Sequence, residues 1–282
     1  MYKNVKEYIR QVLQEIAVPS QDIIDEIEHG LLASKFWQYR AYPKEPAEQA
    51  PPFIFNLYSI LDKAFSAYGI KVMFDLPDYG VFFTEAGQSV EQPKEIRILG
   101  AGFNAGIRAF KIKMILPGPD FQDPVFKSAE EVKFFVDDIL SVIHHEMTHE
   151  VQFDRSKNST EDLIFAPSSS VNYWISYLET EAYASQLAFS LLRDHSVAEA
   201  IEILRTAFTD PSVIPASFTQ KNWEQFQMFG DIDFDSPFLK DQPQAVKKYH
   251  LLRNAYKRFL KKTYQHLMYA KDRTPPMEKL RQ

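Results

Sequence analysis

The feature that most constrains the fold is a run of apolar residues at helical spacing between residues 128 and 153. Apolar side chains recur there every three or four residues, which predicts one long helix whose surface is largely buried. The segment His145-Glu146-Met147-Thr148-His149 lies inside this run, so its polar side chains fall where water is limited. The apolar members of the run are Val132, Phe135, Val136, Ile139, Leu140, Val142, Ile143 and Met147.

Helical patterns stand before and after a block of short, β-branched and aromatic segments that are separated by glycine, proline and aspartate. This order predicts an α+β fold that is mainly helical, with a small antiparallel or mixed sheet preceding the long helix. Ser196 and Glu199 have the spacing of a capping box. The predicted strands are 70–76, 80–86, 95–101 and 106–116, and the predicted helices are 2–17, 20–34, 53–68, 128–153, 171–194, 197–208, 219–228 and 243–271.

The composition excludes several classes of protein. Of the 282 residues, 45% are hydrophobic, which is enough for a sizeable core, and cysteine is absent, so a metal site can use only His, Asp and Glu. The charged N-terminus lacks the apolar core of a signal peptide, and no stretch is long and apolar enough to span a membrane. We therefore expect a cytoplasmic protein without membrane contact.

The His-Glu-x-x-His arrangement has a specific chemical meaning on a helix. His145 and His149 lie about 40° apart around the axis and about 6 Å apart along it, so both imidazoles can reach a single ion. Glu146 points to the side of such an ion, where its carboxylate can accept a proton from an activated water. The alternative is a pair of histidines that are satisfied by hydrogen bonds alone. His144 lies about 100° from His145 and is expected at the helix surface or behind the ligands.

A catalytic zinc site needs a third protein ligand, and two glutamates follow on the next predicted helix. Glu179 and Glu181 are about 200° apart around that helix, so only one of them can face an ion. Glu181 shares a stripe with small residues that would allow close helix packing, whereas Glu179 is the alternative. The glutamate that is not a ligand could orient a histidine, and both could instead lie on a solvated acidic face. The stripe contains Tyr177, Ala184, Ser185 and Ala188.

His145-Glu146-Met147-Thr148-His149, followed about thirty residues later by Glu181-Ala182-Tyr183-Ala184, resembles the gluzincin class of zinc metallopeptidases, including small bacterial and phage zincin-like proteins. The resemblance covers residues 142–188. It implies Zn²⁺ held by His145, His149 and Glu181, with Glu146 as general base and a peptide or protein substrate aligned along an edge strand. The class also implies a Tyr or His that stabilises the oxyanion, for which the candidates are Tyr173, Tyr183, His195, Tyr249, His250 and His266.

Two features depart from the zincin pattern. Glu150 occupies the position after His149, which is usually uncharged in this class, and this suggests a wetter or polar-lined edge of the helix. No third histidine follows His149 at the spacing of the metzincins, which disfavours that class.

Charge is distributed unevenly along the chain. The formal net charge is −6, yet residues 240–282 contain twelve Lys or Arg and three Asp or Glu. We expect an N-terminal helical segment at 1–48, a zincin-like catalytic domain at 49–239 and a basic helix at 240–282 packed on that domain. As an alternative function, the basic helix could bind an acidic partner or nucleic acid, with a structural or degenerate zinc site.

Overall fold

A computed structural model gives the structure of most of the chain. The predicted helix 2–17 and Tyr173 lie outside the described residues, as do most of the predicted segments 80–86 and 219–228. The described residues are 19–35, 52–75, 82–83, 89–90, 96–104, 106–115, 126, 128–155, 176–207, 210–214, 218, 226, 228 and 243–273.

The described part of the chain contains six α-helices. Five match predicted helices to within two residues at each end, whereas the helix predicted at 171–194 begins at Tyr177, after the N-cap Ser176. No helix in this part has both the length and the apolar character needed to cross a bilayer. The helices are α1 (Gln21–Ser34), α2 (Pro52–Ser66), α3 (Ala129–Arg155), α4 (Tyr177–Asp194), α5 (Val197–Thr206) and α6 (Pro243–Arg273), with a 3-10 turn at Pro211–Val213.

Side-chain caps explain where two of these helices begin. The predicted capping box of α5 is confirmed, because the Ser196 hydroxyl accepts from the Glu199 N–H and the Glu199 carboxylate accepts from the Ser196 N–H. At the start of α3, the Ser128 hydroxyl accepts from the Glu131 N–H at 3.1 Å. Each cap satisfies backbone donors that have no partner within the helix.

The predicted mixed sheet is confirmed in the order β1-β5-β4. Strand β5 pairs in parallel with β1 and antiparallel with β4, so β4 forms an edge of this sheet among the described strands. A separate antiparallel pair is formed by β2 and β3. The strands are β1 (Lys71–Asp75), β2 (Phe82–Phe83), β3 (Ser89–Val90), β4 (Arg97–Asn104) and β5 (Ala109–Ile115).

The alternation of side chains along β5 assigns its two faces. Phe110, Ile112 and Met114 are buried, whereas Lys111 and Lys113 are exposed. One face of β5 therefore lies on the core and the other faces solvent, as in a half-buried strand. The helices that flank this sheet in the chain make the fold α+β.

The described chain divides into two compact units. The first spans Ser20–Met147, and the second contains Pro19 together with the described residues from Thr148 onward. The division falls within the continuous helix α3.

The first unit has a core in which α1 and α2 approach closely. A Cβ atom on Gly30 would lie 2.8 Å from Cγ2 of Ile60, so any other residue there would force the Ile60 side chain or the helices to shift. The buried face of α1 consists of Ile23, Ile24, Ile27 and Leu31. Phe65 of α2 stacks on Phe110 of β5 with ring centroids 5.4 Å apart, which joins the helices to the sheet.

The second unit has an aromatic core between α4, α5 and α6. Phe226 and Phe259 stack with centroids 4.1 Å apart, and Tyr183 meets Phe226 edge-on. Small buried residues on α4 (Ala184, Ser185 and Ala188) share this helix with larger apolar side chains in the core. The basic helix α6 packs against α4 and α5.

Burial of Asp138 on α3 gives a testable pH dependence of stability. Burial raises the pKa of this carboxyl to about 7. The folded chain therefore keeps a proton that the unfolded chain releases near pH 4, and stability falls as pH rises from about 4 to about 7. We expect Asp138→Asn to stabilise the protein by on the order of 2 kcal/mol at pH 8 and little at pH 4.5.

Urea unfolding at pH 4.5 and pH 8 measures this difference. Asp137 is the matched control because it forms an ion pair with Lys133 at 2.8 Å, so Asp137→Asn should give no gain at pH 8. An equal effect of Asp138→Asn at both pH values would contradict the role of burial.

Candidate metal centre

The His-Glu-x-x-His residues lie in the middle of α3, on a stretch that is buried around most of its circumference. Ile139, Leu140, Ile143 and Met147 are buried on the same stretch, and His145 and Glu146 have 6% and 7% of their surface exposed. A polar group in such surroundings needs a partner or an ion to compensate for its lost hydration. The predicted placement of these side chains where water is limited is confirmed.

Two histidines and one glutamate of the described residues form a group that can hold a metal ion. His145, His149 and Glu179 each offer a ligand atom, and these atoms all lie within 4.8 Å of one another. Nε2 of His149 is 3.5 Å from Oε2 of Glu179. Two ligands of one tetrahedral zinc ion, each at about 2.0–2.1 Å, would lie roughly 3.3 Å apart. The spacing of these two atoms therefore fits a shared ion.

The structure places Glu179 in this group, whereas the sequence favoured Glu181. Glu181 is 2% exposed, and its carboxylate is used elsewhere. Its Oε1 accepts from Nζ of Lys262 at 3.1 Å, and its Oε2 accepts from Nε2 of Gln152 at 3.3 Å. The geometry therefore favours Glu179, the alternative that the sequence had left open, as the third ligand.

Gln152, which the sequence analysis did not single out, connects Glu181 with His149. Its Oε1 lies 2.9 Å from Nδ1 of His149. Its Nε2 donates to the carbonyl oxygen of Leu178 at 3.1 Å as well as to Glu181. The available sequence signal was its position three residues after His149, which puts both side chains on neighbouring parts of one helix face.

Lys262 of α6 is buried beside Glu181 and carries the compensating charge. Burial opposes its ammonium form, but the hydrogen bonds and charges of Tyr177 and Glu181 outweigh burial and raise the pKa of Lys262. Nζ of Lys262 also lies 5.1 Å from the centroid of the Tyr177 ring, within the range of a cation–π contact. The Lys262 ammonium therefore lies against the Glu181 carboxylate as its counter-ion.

Glu146 contacts the edge strand of the sheet. Its Oε2 accepts a hydrogen bond of 2.8 Å from the backbone N–H of Phe103 on β4. This bond holds one carboxylate oxygen in place and leaves Oε1 as the atom with the greater freedom to accept another proton.

The remaining candidates from the sequence lie in varied surroundings. Tyr183 belongs to the aromatic core of the second unit, His195 follows the last residue of α4, and His250 is exposed on α6. His144 and His266 are buried. The oxyanion-stabilising residue therefore stays unassigned among the predicted candidates.

No family model, curated protein or solved structure matches this chain.

Proposed function

We propose that this protein is a zinc-dependent metallopeptidase of gluzincin type, with Zn²⁺ held by His145, His149 and Glu179. The observation that carries the proposal is the convergence of these three ligand atoms within 4.8 Å. Two neutral imidazoles and one carboxylate are a donor set that is typical of catalytic zinc, which keeps a further position for water. Glu146, next to the first ligand in the chain, supplies the base that this chemistry requires.

The proposed roles of the residues follow from their positions. Bound zinc would supply a Lewis acid that acidifies a water molecule and polarises the scissile carbonyl. Oε1 of Glu146 accepts the proton from the attacking water while Oε2 stays on the Phe103 N–H. The same proton then passes to the amide nitrogen as the C–N bond breaks, and the products are a carboxylic acid and an amine.

Strand β4 offers a way to hold an extended peptide next to this base. The N–H of Phe103 points to Glu146, hence away from β5. In an antiparallel pair, the N–H and C=O of alternate residues face the same edge, so both groups of Ala101 also face away from β5. We propose that a substrate backbone pairs with Ala101 as an added strand.

Zinc content and hydrolysis test this function together. We expect the purified chain to contain about one zinc per molecule and to cleave members of a quenched fluorescent peptide library. Because the water-activating metal is removed, 1,10-phenanthroline should lower the rate at least about 100-fold, and one equivalent of zinc should restore it. Magnesium is the control, since it binds His-rich sites poorly and should restore nothing.

Hydrolysis by chain without zinc would contradict the proposal. Zinc bound at one equivalent with no cleavage of any library peptide would instead favour the alternative function, a binding module with a structural zinc site. The exposed lysines of α6 support that alternative as a surface for an acidic partner: Lys247, Lys248, Lys257 and Lys261.

A further inference from the structure

The hydrogen bonds of Gln152 determine the orientation of its amide group. Nε2 donates to two acceptors, the carbonyl oxygen of Leu178 and the carboxylate of Glu181. An amide turned the other way would place its oxygen against these two oxygens. Its Oε1 must therefore be the atom that faces Nδ1 of His149 at 2.9 Å.

The amide orientation in turn selects a tautomer of His149. An amide oxygen can only accept, so Nδ1 of His149 must carry the proton and donate it. The neutral ring then has its lone pair on Nε2, the atom that lies 3.5 Å from Glu179. This is the tautomer in which the ring can bind a metal through Nε2.

Glu181 and Lys262 hold the Gln152 amide in that orientation on the side away from His149. Glu181 is buried, and its second oxygen accepts from Lys262, whose side chain is also buried. Because Lys262 is its counter-ion, Glu181 can offer Gln152 a strong acceptor without leaving an uncompensated charge in the core. Without Lys262 that carboxylate would be a buried charge without its counter-ion.

We propose that Lys262, Glu181 and Gln152 form a positioning chain that fixes the Nδ1–H tautomer of His149 and thereby sets the zinc affinity of the site. The proposal rests on the proposed zinc site, and it gives the buried lysine of the basic helix a role distinct from that of the exposed lysines. In this proposal Glu181 is not a metal ligand. It orients Gln152, which in turn orients the ligand His149.

Zinc affinity tests the chain directly, by competition with a chromophoric chelator. We expect Gln152→Met and Lys262→Met to weaken zinc binding by between about 10-fold and 100-fold, as other changes behind metal ligands do. Lys261→Met is the matched control, since it removes the same charge from the adjacent, exposed position and should change affinity less than about twofold.

An exchange of Gln152 and Glu181 tests this positioning role without changing the side-chain volume in the core. Gln152→Glu alone places a second carboxylate beside Glu181, and Glu181→Gln alone allows the Gln152 amide to turn its donor toward His149. Each single change should weaken zinc binding by about 10-fold or more. The double variant restores an acceptor for His149 and a donor between the two side chains, but it leaves the Leu178 carbonyl without its donor. It should therefore bind zinc at least about threefold more tightly than either single variant, and less tightly than the unmodified protein.

The tautomer can be measured without zinc, which separates this proposal from the zinc site itself. Long-range ¹H–¹⁵N spectra of the zinc-free protein at pH 8 should show His149 protonated on Nδ1. In Glu181→Gln the fraction protonated on Nε2 should rise, since only the Leu178 carbonyl then holds the amide of Gln152 in its orientation. If the unmodified protein binds no zinc, the proposed function fails. The spectra would still show whether Lys262, Glu181 and Gln152 fix the tautomer of His149. The Nε2–H tautomer in the unmodified protein, or unchanged zinc affinity in folded Gln152→Met together with no recovery in the double variant, would overturn the proposal.

Discussion

We expect Glu146→Gln to leave zinc binding within about threefold of the unmodified protein and to lower kcat/KM for peptide hydrolysis by roughly a thousandfold. Gln is nearly the same size as Glu, and its amide oxygen can keep the hydrogen bond from the Phe103 N–H. The substitution therefore removes the proton acceptor while the side chain stays in place. A loss in kcat, with KM little changed, would identify a group that acts on the reacting atoms.

The control for this change lies on the same helix. Glu150 directly follows His149 and is partly exposed, so Glu150→Gln makes the same chemical change without removing the proposed base. It should retain both zinc and activity. Hydrolysis by Glu146→Gln at a rate near that of the unmodified protein would show that another group accepts the proton and that the proposed mechanism is wrong.

Many helices and strands can be predicted from the sequence, because they depend on residues close together in the chain, through apolar spacing and capping hydrogen bonds. The buried helix around residues 128–153 follows from its apolar period, and the start of α5 follows from the capping box of Ser196 and Glu199. The short strands follow from β-branched and aromatic segments between turns. In contrast, the parallel pairing of β1 with β5 joins segments distant in the chain and has no local signature.

In the candidate metal site too, some contacts follow from the local sequence and others from tertiary structure. The spacing of His145 and His149 is a property of one helix, so the sequence was sufficient to bring them together. The contact from Phe103 to Glu146 uses a backbone N–H, which every residue but proline possesses, so no side-chain pattern could indicate it. The pairing of Lys262 with Glu181 spans 81 positions and depends on how α6 packs against α4.

The choice between Glu179 and Glu181 shows where a local argument stops. Small residues beside Glu181 do mark a buried face of α4, and Glu181 is more buried than Glu179. Burial alone does not distinguish a metal ligand from a carboxylate paired with a lysine. The contact of Lys262 with Glu181 and the closeness of Glu179 to His149 make that distinction, and both come from tertiary structure.

The second large effect is therefore expected at Glu179. Structural zinc sites in small peptides bind with roughly 10–16 kcal/mol in total, and on that scale the loss of one protein ligand among three should cost about 3–5 kcal/mol, or on the order of a thousandfold in Kd. Glu179→Gln keeps the size of the side chain but replaces the carboxylate with a poor zinc ligand. Glu181→Gln should cost only about 10-fold to 100-fold, because Glu181 acts through Gln152.

Cobalt substitution distinguishes the two carboxylates by coordination as well as by affinity. Co²⁺ in the unmodified protein and in Glu181→Gln should show the intense visible bands of a four-coordinate ion. Glu179→Gln should lose them, because an ion held by two histidines alone takes up several waters and its coordination number rises above four. Chelator competition gives the corresponding Kd values for zinc. The opposite order, with the larger loss and the changed spectrum in Glu181→Gln, would make Glu181 the ligand. Lys262 would then have to move away from Glu181 when the metal binds. At the observed distance of 3.1 Å, the Glu181 carboxylate is already bound to the Lys262 ammonium.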